Sequence, residues 1–384
     1  RSKVAGLRIV VVGGGTGGHV YPALAVIGEM RGRGLDVLYV GTTQGLEADL
    51  VPREGIEFYP IRVTGLRGKS PGRVVLGMGR AGAAVLTSFR LLSRLRPHVV
   101  LGTGGYVTGP VALAAITARI PVVLQEQNVV PGATNRLLSP LCAAVCVPYA
   151  RCVMNFPPRA RLVVTGNPVR PAVVARTREE GCRSLGLDPG RPVLLVLGGS
   201  RGARRLVEAA MGAIPRLRAS FPGLQSLLIT GREYYTEALV LLDRVGEREV
   251  LRDWHLEPYI YNMEDALAAA DLVVGRAGAM TVAEVTARGL PAVLVPSPNV
   301  VGNHQEYNAR LLEEAGAAQV LREEQLHAGS LADTVQGLLG DPRSLRQMGE
   351  KSRQLGKPDA ARRVAEVVMA SAGRRGSAGV HGGG

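Results

Sequence analysis

One stretch near the start of the chain, a β-branched run followed by glycines, constrains the fold more than any other. Residues Arg8–Val12 have the composition of a buried strand, and the sequence GGGTGG at Gly13–Gly18 ends it. A helical pattern then starts at His19, with apolar residues on one face. Strand, glycine turn and helix in this order predict a βα unit. Its loop can bring backbone N–H groups up to an anion at the helix N-terminus.

The spacing of these glycines also fits the GxGxxG pattern of dinucleotide-binding loops. That pattern requires a carboxylate near the end of the second strand, where it binds the ribose. The second predicted strand, Asp36–Val40, has its only acid at the opposite end. The dinucleotide interpretation is therefore disfavoured. His19 also places a titratable group at the mouth of the turn, which is unusual for a simple phosphate-binding loop.

Strands and helices alternate along most of the chain, which favours mainly parallel, doubly wound sheets. The predicted strands are Leu7–Val12, Asp36–Val40, Ile56–Ile61, Val99–Gly102, Pro121–Gln125, Ala143–Val147, Leu162–Thr165, Val193–Leu197, Leu227–Thr230, Leu272–Val274 and Ala292–Val295. A linker with two prolines, GNPVRP at residues 166–171, separates two series of strands. Each series opens with a strand and a glycine turn, so we predict an α/β protein with two similar domains.

The predicted domains have the following boundaries. Residues 1–167 form an N-terminal domain and residues 168–357 form a second domain. The final helix, within residues 358–371, crosses back and packs on the first domain. Residues 372–384 are rich in Gly, Ser and Arg and are expected to be a disordered tail.

Charge is distributed unevenly along the chain. The net charge is +14, and between Phe58 and Arg178 there are sixteen Lys or Arg residues and a single acid, Glu126. Such a one-sign region indicates an anionic partner: a membrane surface, nucleic acid or a phosphorylated substrate. The alternative is a solubilising surface or a general arginine bias. Only 4% of the residues are aromatic, and we find no nucleic-acid-binding motif, so nucleic acid is the weakest of these partners.

The segment Thr64–Pro97 contains a helix that mixes basic and apolar residues. This pattern is typical of contact with a membrane surface, although packing of the helix on its own sheet explains it equally well. No apolar run reaches the roughly 20 residues that a membrane-spanning helix requires. We therefore expect a soluble or peripheral protein.

Metal binding is not expected. The four cysteines show neither a CxxC pair nor histidines at ligand spacing, which favours buried, reduced thiols. No Asp-x-Asp pair is present of the kind that holds Mg²⁺ on a diphosphate. Two glycine turns with backbone N–H groups would hold a diphosphate without a metal.

Four further stretches make the interpretation specific: Gly102–Pro110, Gln125–Asn128, Gly275–Glu284 and Asn303–Asn308. Gln125–Asn128 places polar side chains at the carboxyl end of a predicted strand, where open α/β sheets bind ligands. Together with GGGTGGH and GNPVR, in this order and spacing, they resemble the MurG family of bacterial glycosyltransferases. The resemblance extends from about Arg8 to Ala370.

This resemblance implies a GT-B fold, in which two Rossmann-like, doubly wound domains face a cleft. It implies an inverting transfer of N-acetylglucosamine from UDP-GlcNAc to the 4-hydroxyl of MurNAc in lipid I, which forms lipid II for peptidoglycan synthesis. The expected location is the cytoplasmic face of the bacterial cell membrane, as a peripheral protein on an anionic surface. No cofactor, metal or nucleic acid is implied.

The resemblance also implies roles for individual residues. The implied UDP-GlcNAc-binding residues are Thr16, Gly17, Gly18, Asn128, Arg170, Ser200, Ile260, Ala279, Met280, Thr281, Val282, Ala283, Glu284 and Gln305. Among them, Ser200 would contact phosphate, Ile260 uracil and Glu284 the ribose. The implied acceptor-binding residues are Gly104, Gly105, Tyr106 and Asn135.

His19 and Glu126 are the candidate catalytic residues. An unperturbed histidine titrates near pH ~6.5, which suits a general base. Glu126 lies among positive charges, which favour its charged form and make it a better orienting partner than base. We therefore predict that His19 is the base and that Glu126 positions His19 or the acceptor.

Several simpler roles remain open. Thr281 and Glu284 have the spacing of a capping box, and Ser200 could cap a helix. Tyr106 could be a packing residue, and His19 could make only a structural hydrogen bond. At the level of function, a UDP-GlcNAc 2-epimerase would share the fold and the nucleotide. A non-enzymatic protein that binds nucleic acid or membrane is favoured only by the basic domain.

Overall fold

A seven-stranded and a six-stranded sheet, both parallel throughout, organise the protein. The computed structural model describes residues 6–63, 71–198, 203–245 and 253–377. The described residues fall into two compact units, one of residues 1–170 with 359–384 and one of residues 171–358. The boundary follows Arg170, whereas the sequence analysis places it after Asn167.

The strands occur at nearly the positions expected from the sequence. They are β1 Arg8–Gly13, β2 Asp36–Thr42, β3 Glu57–Ile61, β4 Val99–Gly104, β5 Val122–Gln125, β6 Ala144–Val147, β7 Leu162–Val164, β8 Val193–Leu197, β9 Gln225–Ile229, β10 Trp254–Glu257, β11 Leu272–Gly275, β12 Ala292–Leu294 and β13 Ala318–Val320. All eleven predicted strands are confirmed, with ends within two residues. The sequence analysis missed β10 and β13.

Helices connect the strands. They are α1 Gly17–Arg31, α2 Glu47–Arg53, α3 Pro71–Leu95, α4 Thr108–Thr117, α5 Ala133–Leu138, α6 Pro171–Ala175, α7 Arg178–Leu185, α8 Arg204–Ser220, α9 Tyr235–Val245, α10 Met263–Ala269, α11 Ala279–Arg288, α12 His304–Glu314, α13 Ala328–Leu339, α14 Pro342–Leu355 and α15 Ala360–Ser377. Short 3₁₀ helices occupy Ser139–Leu141, Ala150–Asn155, Val301–Asn303 and Glu323–Gln325.

The first sheet has the strand order β3-β2-β1-β4-β5-β6-β7. Successive strands are added on one side of β1 up to β3 and on the other side from β4 onward. The strand order therefore reverses between β1 and β4, and open α/β sheets bind ligands at such a point. Helix α15 packs on the same sheet, because Val364 and Val368 share a core with Ile9 and Val11 of β1. The helix continues to Ser377. The prediction of a disordered tail from residue 372 is therefore wrong for residues 372–377, since the helical pattern persists; residues 378–384 lie outside the described residues.

The second sheet has the order β10-β9-β8-β11-β12-β13, with the corresponding reversal between β8 and β11. Its two faces are covered by helices, so the central strands β8 and β11 are buried along their length. This burial explains their continuous apolar sequences, LLVL and LVV. Each sheet therefore has one point of reversal, and a glycine-containing turn follows a central strand there.

Within the described residues, no helix is long and apolar enough to cross a membrane. The same residues contain no group of three or more His, Cys, Asp or Glu side chains placed to hold a metal ion. All four cysteines are buried, unpaired thiols.

Candidate functional site

In the first unit, two glycine turns meet at the reversal between β1 and β4. The N–H of Gly14 donates to the carbonyl oxygen of Gly104 at 3.2 Å. Gly105 has a φ of +85°, and a Cβ built on it would lie 2.2 Å from the Gly14 carbonyl oxygen. Any other residue at Gly105 would therefore separate the two turns. This close backbone contact fixes the start of α1 against the end of β4.

His19, in the first turn of α1, lies directly against the second of these turns. Its Nδ1 is 3.1 Å from the carbonyl oxygen of Thr103. A carbonyl oxygen only accepts, so in the neutral ring the proton resides on Nδ1 and Nε2 carries the lone pair. A Cβ on Gly104 would lie 2.4 Å from Nδ1, so the ring occupies the space that this glycine leaves.

Burial of the imidazole lowers the pKa of His19 from its usual value of 6.5. The negative charge of Glu126 opposes this shift, as do hydrogen bonds to Thr103 and Gln127. Because the shift is downward, His19 is neutral at neutral pH. A half-buried, neutral imidazole with a defined tautomer is equipped to accept a proton at Nε2.

Glu126 is almost entirely buried, and both of its carboxylate oxygens are engaged. Oε1 accepts from the backbone N–H and the side-chain amide of Asn128, at 3.0 and 3.2 Å. Oε2 accepts from Gly132 N at 3.1 Å and from Asn135 Nδ2 at 2.8 Å. These four bonds hold the loop between β5 and α5. The geometry thus gives Glu126 a loop-fixing role, and it reaches His19 only through its charge.

Two asparagines with implied substrate roles are part of this loop. Asn135 is buried and donates to Glu126, so its side-chain amide is turned inward rather than presented to an acceptor. Asn128 is half-buried, and its amide nitrogen also donates to Glu126. The buried carboxylate of Glu126 thus uses this amide as a donor, and acceptor binding by Asn135 stays a prediction.

A group of buried amides to which the sequence analysis assigned no individual role lies close to His19. Gln127 Nε2 donates to the Thr103 carbonyl oxygen at 2.6 Å, the same oxygen that contacts the imidazole. Gln125 Nε2 donates to Asn167 Oδ1 at 3.0 Å, and Asn167 Nδ2 donates to the Gln127 carbonyl at 2.8 Å. These bonds tie β5 to the segment after β7. The buried polar residues following β5 were the available signal, but their partners lie about 24 to 42 residues away.

The remaining predicted residues of this unit lie around the turns. Thr16 is the residue preceding α1, and Gly17 and Gly18 are its first two helical residues. Tyr106 is 67% exposed, so it is not a packing residue. The Arg170 guanidinium lies over the ring of Tyr21, 5.4 Å from its centroid. Arg170 is thus placed with the first unit, beside α1.

In the second unit, the turn after β11 leads into α11. Gly278 is the N-cap residue, and the fully described first turn of α11 contains no acidic residue. The positive end of the helix dipole is therefore not neutralised from within the helix. Ala279, Met280 and Thr281 are the first three residues of α11, and all are half-buried.

The helix start also decides between two roles for Glu284. A capping box requires Thr281 as the N-cap, but the N-cap is Gly278 and makes no side-chain cap bond. Glu284 is consequently the sixth residue of α11, in its second turn, and is half-buried. The capping interpretation is wrong, since the helix begins three residues earlier than that pattern assumes.

Val282 and Ala283 face inward. Both are buried, Val282 belongs to the core of the second unit, and its N–H donates to the Gly278 carbonyl. These contacts assign the two side chains to packing rather than to ligand binding. Donor binding by Val282 and Ala283 stays a prediction.

Neighbouring elements brace the turn after β11. Asn308 Nδ2, on α12, donates to the Ala277 carbonyl at 3.1 Å. Arg276 donates to the Val295 carbonyl at 3.2 Å and forms a largely buried ion pair with Glu323. Gln305 Oε1 accepts from Ser297 N at 2.9 Å, which fixes the orientation of its amide. The sequence analysis assigned no role to Asn308, Arg276 or Glu323.

Two implied donor residues need separate mention. Ile260 is half-buried in the connection between β10 and α10. Ser200 lies outside the described residues, so neither its phosphate-binding nor its capping role is addressed by the structure.

Comparison with known proteins gives consistent matches along the chain. The family models for the glycosyltransferase family 28 N-terminal and C-terminal domains match residues 9–147 and 193–364. A Moorella thermoacetica protein named UDP-N-acetylglucosamine–N-acetylmuramyl-(pentapeptide) pyrophosphoryl-undecaprenol N-acetylglucosamine transferase is 43% identical over 366 residues. That alignment covers 94% of this chain and 98% of the relative.

Solved structures show the same relationship. The crystal structure of Acinetobacter baumannii MurG has a TM-score of 0.74 and 30% identity, covering 95% of this chain and 99% of that one. A UDP-GlcNAc 2-epimerase from Neisseria meningitidis, bound to UDP-GlcNAc, has a TM-score of 0.67 at 15% identity, covering 95% and 100%. The second likeness shows the fold alone. The prediction of two Rossmann-like domains of the GT-B type is confirmed.

Proposed function

The chain belongs to glycosyltransferase family 28, and from that premise we propose that it transfers N-acetylglucosamine from UDP-GlcNAc to the MurNAc of lipid I. The product is lipid II, the precursor of peptidoglycan. The observation that carries the chemical part of the proposal is the placement of His19: a neutral imidazole, hydrogen-bonded through Nδ1, at the carboxyl edge of the first sheet.

The reaction proceeds as follows in this proposal. His19 Nε2 takes the proton from the 4-hydroxyl of MurNAc while the hydroxyl oxygen attacks the anomeric carbon of N-acetylglucosamine. The bond from that carbon to the β-phosphate oxygen breaks, and UDP leaves with the electron pair. Attack from the face opposite to UDP inverts the anomeric configuration. The helix-dipole charge at the start of α11 supports binding of the diphosphate as its negative charge increases.

In this proposal the second unit binds the donor. Glu284 accepts hydrogen bonds from the ribose hydroxyls, and the first turn of α11 lies along the diphosphate. The position of Glu284 outside the helix cap supports this role, because the carboxylate is not needed to satisfy a helix end. Gln305 presents its amide to the sugar, with the orientation set by Ser297.

Incubation of the protein with UDP-GlcNAc and a short-chain lipid I analogue, followed by mass analysis, tests the activity. We expect an acceptor product heavier by one N-acetylhexosamine, together with UDP. UDP-glucose should be a much poorer donor, because polar groups that bind the acetamido group would be left unpaired. An epimerised UDP-sugar, with no change in the acceptor, would support the 2-epimerase alternative and contradict this proposal.

We also propose that the protein acts as a peripheral protein on the anionic, cytoplasmic face of the membrane. Helix α3 supports this, since the described part of it has two different faces. Ala84, Ser88 and Leu92 are buried, whereas Leu86 is 49% and Phe89 is 38% exposed, with Arg90 beside them on the exposed side. Packing within the protein accounts for the buried face, and the exposed face supports the membrane proposal. Apolar side chains flanked by arginine suit the interfacial region of an anionic bilayer.

Vesicle sedimentation tests the membrane proposal. Binding to vesicles with anionic lipid should weaken as salt rises, and Phe89→Ser should reduce it several-fold. The matched control is Leu113→Ser, because Leu113, on α4, is an apolar residue of similar exposure, 41%. Equal binding to neutral and anionic vesicles would contradict the electrostatic part.

A further inference from the structure

A buried carboxylate that the reaction described above does not use lies beneath the first glycine turn. Glu47 is the first residue of α2, and it is completely buried. Its Oε2 accepts from the backbone N–H of Gly15 at 2.9 Å. Its Oε1 accepts from the N–H and the hydroxyl of Thr42, at 2.9 and 2.6 Å. One side chain thus joins the turn after β1 to the end of β2.

Three glycines leave room for this carboxylate. A Cβ on Gly14 would lie 2.1 Å from Oε1, and a Cβ on Gly45 would lie 2.1 Å from Oε2. A Cβ on Gly41 would lie 2.6 Å from the Glu47 Cγ. Atoms that close exclude a side chain at each position, so these glycines and Glu47 form one packed arrangement. In the first turn, the absence of a side chain at Gly14 therefore accommodates a protein carboxylate.

The backbone donors of the turn are distributed accordingly. Gly14 N donates to Gly104 O, and Gly15 N donates to Glu47. His19 follows four residues after Gly15, and its own N–H donates to the Thr16 carbonyl at 3.0 Å. The shape of the Gly14–Gly15 segment consequently sets where α1 begins and where the imidazole meets Thr103.

From this geometry we propose that Glu47 is a positioning residue: its carboxylate anchors the first glycine turn and thereby holds His19 at the Thr103 carbonyl. The residue touches neither substrate nor reacting atoms. A carboxylate is required rather than an amide, because an amide has one acceptor oxygen and both Gly15 and Thr42 donate. This proposal rests on the proposed function only where catalysis is the readout.

The variant Glu47→Gln tests the role, with Asp49→Asn as the matched control. Asp49 lies on the same helix but is exposed, with 61% of its side chain accessible. We expect Glu47→Gln to lower kcat about 10- to 100-fold, because loss of the Gly15 anchor displaces the imidazole. The Kd for UDP should change less than about two-fold, and Asp49→Asn should behave like the wild type in both measurements.

Two outcomes would overturn the proposal. One is a lower Tm for Glu47→Gln with an unchanged kcat per folded enzyme, which would make the carboxylate merely structural. The other is a loss of UDP affinity as large as the loss of kcat, which would assign it to the donor site.

Hydrogen exchange of the Gly15 amide gives a test that needs no activity. Gly15 lies at the surface, yet its N–H donates to a buried carboxylate. We expect the Gly15 amide to exchange slowly in the wild type. In Glu47→Gln its exchange should be at least about 10-fold faster. Rapid exchange in the wild type would overturn the anchor whether or not the variant folds. If the wild type transfers no sugar, the proposed function fails, while this measurement still decides the role of Glu47.

Discussion

The two glycine-containing turns at the sheet reversals, Gly13–Gly18 after β1 and Gly275–Ala279 after β11, differ in what their backbone contacts. In the turn after β1, Gly14 and Gly15 donate to Gly104 and Glu47, so two backbone donors are satisfied within the protein. In the turn after β11, Gly278 caps a helix whose first turn contains no acid. Both turns lead into a helix whose first turn contains no acid, but the turn after β1 is also anchored by the carboxylate of Glu47. A glycine-rich βα turn therefore does not by itself identify an anion site.

From this difference we infer separate roles for the two turns. The first holds His19 in a fixed tautomer, and we therefore expect changes there to affect catalysis more than nucleotide binding. We propose that the turn after β11 binds the diphosphate at the start of α11, so changes there should affect nucleotide binding more than the proton transfer. The following variants can break or sharpen this separation.

The largest effect is expected from His19→Ala. Removal of the base should lower kcat about 10²- to 10⁴-fold and leave the Kd for UDP little changed. In the wild type the active form is neutral, so kcat/KM should fall as pH decreases through the pKa of His19. Since burial lowers that pKa, the acidic limb should lie below pH 6.5. Steady-state rates across pH check this, and persistence of the limb in His19→Ala would show that the base is elsewhere.

Glycine substitutions compare the two turns directly. Gly104→Ala should lower kcat about 10- to 100-fold and also lower the Tm, because its φ is +111° and the new Cβ would meet the His19 ring. Gly278→Ala should leave the Tm nearly unchanged, since only Thr281 Oγ1, at 3.7 Å, lies near the new Cβ. Kinetics and thermal melts of both variants provide the comparison. Equal loss of Tm in the two would contradict the difference in packing.

Glu284→Gln should affect the site at the turn after β11 and leave the turn after β1 unchanged. If the carboxylate accepts from the ribose, UDP binding should weaken by about 1–3 kcal/mol, as measured by calorimetry. The Tm should change little, because Glu284 lies in the second turn of α11 and is not part of its N-cap. A lower Tm with unchanged UDP affinity would contradict the assignment.

Glu126→Gln should mainly affect stability. One amide oxygen cannot replace two carboxylate oxygens that together accept four hydrogen bonds, so about 1–3 kcal/mol of unfolding free energy should be lost. The kcat of the folded enzyme should fall much less than in His19→Ala. A loss of kcat as large as for His19→Ala, with unchanged Tm, would return Glu126 to the role of base.

The sequence predicted every strand of the first sheet and the central strands of the second, but it missed both edge strands of the second sheet. Val193–Leu197 is buried on both faces, and its continuous apolar run marks it clearly. Trp254–Glu257 and Ala318–Val320 lie at the two edges of the second sheet and are short and partly polar. An edge strand buries fewer side chains, so its sequence carries a weaker signal. Glycine turns, by contrast, were located because few other residues tolerate their backbone angles.

The candidate site residues stay predictions, and the residues that support them in the fold were not predicted from the sequence. His19 directly follows the GGGTGG motif and Glu126 lies within the polar stretch Gln125–Asn128, so both are found from the local sequence. Glu47 reaches Gly15 across 32 positions and Gln127 reaches Thr103 across 24, so neither partnership has a local pattern. The role of Glu126 also depended on partners that only the fold supplies. Asn128 and Asn135 were expected to face substrate, and both are hydrogen-bonded to that carboxylate.

Hydrogen exchange with and without UDP tests the separation of the two turns most directly. We expect UDP to slow exchange in the segment 275–284 and to leave the Gly14 and Gly15 amides unchanged, because both already donate within the protein. If UDP slows exchange of the Gly14 or Gly15 amide and leaves exchange in the segment 275–284 unchanged, this account is contradicted.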